Sequence, residues 1–182
     1  PWKQVPVLSI AEIEAKITVF NDSVGGYPPR FRTPADRETL YRDWSDVMLS
    51  ARALEARDGV SERLSCALTA LYRQGHNMDV AECGRLAMTT MQALLKAHPD
   101  SIPANWEASY LYLQISPKYA PEGEKALMHL RTLLHTDRNI EVERGLLFAY
   151  LYQQKLKEAR KQADWCLKVA PQDKVAFELK EA

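Results

Sequence analysis

No run of 18 apolar residues occurs anywhere in the 182-residue chain, so no segment reads as a membrane span, and no basic-then-apolar leader stands at its start. The chain begins at Pro1 rather than Met, as expected of a trimmed chain or of a mature product after signal removal. The sequence does not choose the compartment: the alternatives expected are cytoplasmic, or periplasmic or secreted if a signal has been removed. Charge of one sign is also missing. Lysine plus arginine and aspartate plus glutamate both number 24, so the total points to neither nucleic acid nor an anionic membrane as the main partner. Cysteine is scarce and odd in number: Cys66, Cys83 and Cys166 form no C-x-x-C and no complete disulfide framework. They are expected to be free, small buried hydrophobes at helix contacts. A Cys66–Cys83 disulfide, the two lying roughly level on the helices of one hairpin, is the alternative that an oxidising compartment allows.

Catalytic and metal-binding patterns are absent as well. There is no H-E-x-x-H, G-x-S-x-G or G-x-x-x-x-G-K-[ST]. His76, His98, His129 and His135 are scattered, and the nearest two, His129 and His135, fall on different faces of a helix. The expectation is a protein with no catalytic residues, no metal and no cofactor. Period-two alternation beyond four residues is not found, which removes strands and leaves an all-α chain. At 46% hydrophobic and 26% charged residues, that chain can bury a core.

What is present is helical punctuation. Ser9 caps Ile10, Ile13, Ile17 and Phe20, which predicts a short helix to about Phe20. Gly25, Gly26, Pro28, Pro29 and Pro34 then make residues 21–33 a loop. Its Arg30, Arg32 and Arg37, beside Tyr27 and Phe31, could seat an anion or acidic peptide. The simpler reading has the arginines solvating the loop while the aromatics pin it to the first two helices. Thr33-Pro34 opens a long helix carrying Leu40, Trp44, Val47, Met48, Ala51 and Leu54, ended by Gly59.

Beyond Ser61 the apolar pattern repeats. From Ile140, Leu146, Tyr150, Ala159 and Pro171 mark two helices that cross closely at small residues, with a proline stopping the second. This spacing resembles the 34-residue tetratricopeptide (TPR) unit. Glu143 departs from it where the family has Trp, Leu147 where it has Gly, and Ala163 where it has a large aromatic. Leu64, Leu68, Leu71 and Gly75, then Ala87, Met91 and Pro99, follow the same pattern with seven extra residues between the halves. Those extra residues are read as an extended second helix from about Asp79. Ile102-Pro103, Trp106, Tyr110 and Leu113, then Ala126, Leu127, Leu130 and Leu134, follow it with four extra residues in the turn and Arg138 for the proline.

The resemblance implies a right-handed α-solenoid of antiparallel helix hairpins, one helical-repeat domain over 1–182. Residues 1–60 form an N-terminal helical pair; 61–101, 102–139 and 140–173 are the three units, and 174–182 start a capping helix. It further implies a binding surface on the first helix of each unit. By position this surface comprises Ser65, Thr69, Tyr72 and Arg73, then Glu107, Leu111 and Gln114, then Arg144, Phe148, Leu151 and Tyr152. The expected partner is a protein: a peptide, helix or subunit of a larger assembly. The alternative is a structural subunit of an obligate complex or homo-oligomer. The stripe of Phe148, Leu151 and Tyr152 reads equally as binding surface or as core packed against Phe177.

Overall fold

A computed structural model describes residues 7–181. They are helical, with no strand among the described residues, and they form two compact units that divide between His98 and Pro99.

The first unit contains α1 (Ile10–Val24), α2 (Pro34–Asp58), α3 (Glu62–Asn77) and α4 (Cys83–Ala97). Side chains close the N-termini of the first three. Ser9 and Glu12 form a capping box on α1, Thr33 and Asp36 another on α2 with Pro34 in the first turn, and Ser61 accepts from the Leu64 amide on α3. Ile13, Ile17, Phe20 and Val24 recur at helical spacing and are buried, α1 packing against α3. Helix α1 therefore runs one turn past Phe20, because Val24 belongs to the core. The loop begins at Gly25, whose amide donates to Asn21. Tyr27, expected to pin that loop, is exposed, whereas Phe31 is half-buried.

Two further expectations change in the α3–α4 hairpin. Helix α4 starts at Cys83, not Asp79, since Asp79 and Glu82 both take left-handed backbone angles, φ 61° and 65°. The extra residues lengthen α3 and its turn instead. Gly75 is not the turn but a close-approach point inside α3: a Cβ there would lie 2.6 Å from Cys83 Sγ and 2.6 Å from Trp44 Cζ2. Cys83 is thus level with Gly75. Cys66, nine residues earlier on α3, is about 13 Å away along the axis, so the two thiols do not pair and none of the three cysteines is in a disulfide.

The second unit contains α5 (Ile102–Ile115), a 3₁₀ turn (Pro117–Tyr119), α6 (Ala120–Leu133), α7 (Ile140–Tyr152), α8 (Leu156–Val169) and α9 (Lys174–Glu181). Most of the four extra residues before Gly123 are absorbed by the 3₁₀ turn. Two apolar clusters hold the helices. Leu127, Leu130, Val142 and Leu146 pack with Trp106, Leu113, Leu134 and Tyr150. Leu147, Ala159, Ala163, Cys166 and Ala176 pack with Leu151 and Leu179. Ala159 and Ala163 are nearly inaccessible, so α7 and α8 approach where side chains are small.

Candidate partner-binding surface

In the first unit the surface implied for α3 is occupied by the chain's own N-terminal helix. Ser65, Thr69, Tyr72 and Arg73 are all buried. Further along α3, polar side chains grip the backbone of α1 and of the residue after it. Gln74 Nε2 donates to the Ile17 carbonyl (3.0 Å), Asn77 Nδ2 to the Val24 carbonyl (3.0 Å) and Arg73 Nη1 to the Gly25 carbonyl (2.8 Å). The Val24 and Gly25 carbonyls, at the C-terminal end of α1, lack helical partners, so the Asn77 and Arg73 bonds satisfy groups that would otherwise be stranded, while the Gln74 bond is a second one to a carbonyl inside the helix. The Tyr72 hydroxyl accepts from Arg52 of α2. These four positions therefore offer no open face to a partner.

In the second unit the implied positions separate into three groups. Leu111 is fully buried, and Glu107 and Gln114 beside it on α5 are half-buried. Arg144 is turned to α9: its Nε donates to Asp173 Oδ2 (3.0 Å) and its Nη2 bonds the same oxygen. Burial pushes the Asp173 carboxyl up, but Arg144 and the Ala176 amide, which donates to Asp173 Oδ1 at 2.8 Å, outweigh it and hold the group below the usual carboxylate range. Leu151 joins the apolar cluster that α9 completes. What stays open is an aromatic pair: the rings of Phe148 and Tyr152 lie 6.3 Å apart, Phe148 half-buried and Tyr152 44% exposed.

Two residues placed in the repeat pattern have roles that the sequence reading did not assign. Tyr110, exposed on α5, stacks on Trp106 with centroids 5.9 Å apart; its four-residue offset from Trp106 was the available signal. Glu143, noted only as a departure from the family pattern, is fully buried and centres a polar network. Arg131 Nε donates to its Oε1 (3.0 Å), Arg131 Nη2 bonds its Oε2, and Gln162 Nε2 donates to Oε2 (2.7 Å) and to its carbonyl (3.1 Å). Its carboxylate in turn helps burial push the Cys166 thiol up to about 11.

Two of the four histidines have surface carboxylate partners: His129 Nε2 meets Asp100 at 3.0 Å and His98 Nδ1 meets Glu62 at 3.5 Å. Among the described residues no group of three or more His, Cys, Asp or Glu could hold a metal ion, and no helix is long and apolar enough to cross a membrane.

No family model matches the sequence, and no curated protein matches it. Among solved structures, a thermophilic TPR protein of Thermus thermophilus superposes with a TM-score of 0.60 over 94% of this chain and 91% of that one, at 17% identity. The fold is an all-α, TPR-like helical repeat. That likeness shows architecture alone, so the use of the TPR-like surface rests on the residues themselves.

Proposed function

We propose that this TPR-like chain is a non-catalytic protein–protein interaction scaffold, a single helical-repeat domain holding a peptide, helix or subunit of a larger assembly on the first helices of its later repeats. The observation that carries the reading is the open Phe148–Tyr152 pair on α7, beside an Arg144 already committed to Asp173. An aromatic pair on a rigid helix offers a large contact area at small entropic cost, and aromatics are enriched where interfaces concentrate their energy. Glu107 and Gln114 of α5 supply the polar rim.

The test is capture of partners by the immobilised protein, wild type against Phe148→Ala, with circular dichroism on both. Loss of about 2 kcal/mol of binding, roughly thirtyfold, with helicity retained is the expected result. Unfolding of both Phe148→Ala and Tyr152→Ala would make the pair core and overturn the reading. So would a stable oligomer that dilution does not dissociate in light scattering, the mark of a structural subunit.

A further inference from the structure

Helix α9 repeats α7 at an offset of 34 residues, and the correspondence is structural. Asn139 and Asp173 stand at equivalent positions, each with a side-chain oxygen accepting from amides of the following first turn. Val142 and Ala176, three residues on, are both fully buried. The next pair differs. Glu143 is buried between Arg131 of α6 and Gln162 of α8, whereas its equivalent Phe177 is 58% exposed. Helix α9 thus presents the flank that on α7 is covered by a second helix, and it places an aromatic ring there.

That flank continues onto α8. Lys180, three residues from Phe177 and so on the same side of α9, pairs with Asp164 at 2.7 Å. Asp164 in turn lines a cleft of about 500 Å³ with Leu156, Lys157, Arg160 and Lys161. Leu156 is 68% exposed. Lys157, Arg160 and Lys161 form no close salt bridge among the described residues, and the cleft's one carboxylate, Asp164, is bonded by Lys180 and attracted at longer range by Arg160. Glu158 is two residues from both Leu156 and Arg160 but three from Lys161, so it borders the cleft at Lys161 and offsets part of that charge, leaving Lys157 and Arg160 as the main cations. Leu156 thus lies among three cationic side chains in the α8 cleft, and Phe177 is exposed on α9 one turn before the Lys180 that pairs with the cleft's Asp164.

We propose that this α8–α9 flank binds an acidic amphipathic helix of a partner protein, seated on α9 as α8 is seated on α7. The proposal rests on the scaffold reading above but uses a different surface from Phe148 and Tyr152. The apolar stripe of the incoming helix covers Phe177 and Leu156, and its carboxylates face Lys157, Arg160 and Lys161.

The probe is a labelled peptide of residues 155–170, the helix that performs this packing on α7, with Cys166→Ala and with Lys157, Arg160, Lys161 and Lys168 each replaced by Glu. A control peptide keeps the basic residues. Fluorescence anisotropy against the whole chain should show the acidic peptide binding, at least about tenfold more tightly than the basic one, and weakening as salt is raised. Phe177→Ala should weaken it about tenfold or more with the circular dichroism spectrum unchanged, since the ring is exposed. Phe148→Ala should leave it unaffected. Equal binding of both peptides, no binding, or indifference to Phe177→Ala would overturn the proposal while leaving the Phe148 test standing. Self-association of the chain abolished by Phe177→Ala would assign the flank to a second copy and overturn it as well.

Discussion

The Arg131–Glu143 pair permits a prediction whose sign depends on which partner is removed. The Glu143 side chain is 0% exposed and the Arg131 side chain 26%. In Arg131→Met the carboxylate stays in the core with only Gln162 to bond it, an uncompensated buried charge that costs about 3–5 kcal/mol. In Glu143→Met the guanidinium is the orphan, but its partial exposure lets it turn to water, so the cost falls to about 1–3 kcal/mol. Replacing both by Met removes both charges and fills the space with apolar atoms, which ought to be near neutral. At about 2–4 °C per kcal/mol for a chain of this size, Arg131→Met lowers Tm by roughly 6–20 °C. Urea unfolding followed by circular dichroism, completed as a double-mutant cycle, gives all three values. An Arg131→Met cost below about 1 kcal/mol, or a double variant worse than either single, would show that Glu143 is not an obligate ion-pair partner.

Three further outcomes are expected. Gly75→Ala, which in an exposed helix would stabilise by up to about 1 kcal/mol, should destabilise here by about 1–3 kcal/mol, because the new Cβ meets Cys83 and Trp44; thermal melts decide the sign. Ala159→Leu should overpack the α7–α8 crossing by about 1–3 kcal/mol, and an unchanged Tm would refute the packing given for Ala159. Because the folded Asp173 carboxyl sits below its ordinary range, the stability it contributes is present at neutral pH and is lost as pH falls through the carboxylate range. Asp173→Asn should therefore cost about 1–2 kcal/mol at pH 7 and flatten the acid limb of a stability–pH curve, while an unaltered limb would remove Asp173 from the account.

The all-α class, the helix starts at Ser9, Thr33, Ser61 and Ile102, and the TPR-like crossings at small residues were legible in the chain, because caps, periodicity and small-residue spacing act locally. The register of Ala87, Ala126 and Ala159 followed from the same spacing, and all three are buried. Which faces remain free was not legible. A stripe on α3 reads alike whether α1 or a partner covers it, and only the folded chain shows Gln74 and Asn77 bonded to α1 carbonyls, with Ser65 and Thr69 buried nearby. Glu143 in place of an aromatic looked like a degraded motif. Its meaning lay in Arg131, twelve residues away, and Gln162, nineteen away, a distance over which local pattern carries no information. The sequence by itself determined where helices begin and which residues suit close crossings. Tertiary structure alone decided which polar groups are paired in the core and which aromatics face outward, since burial is set by neighbours distant in the chain.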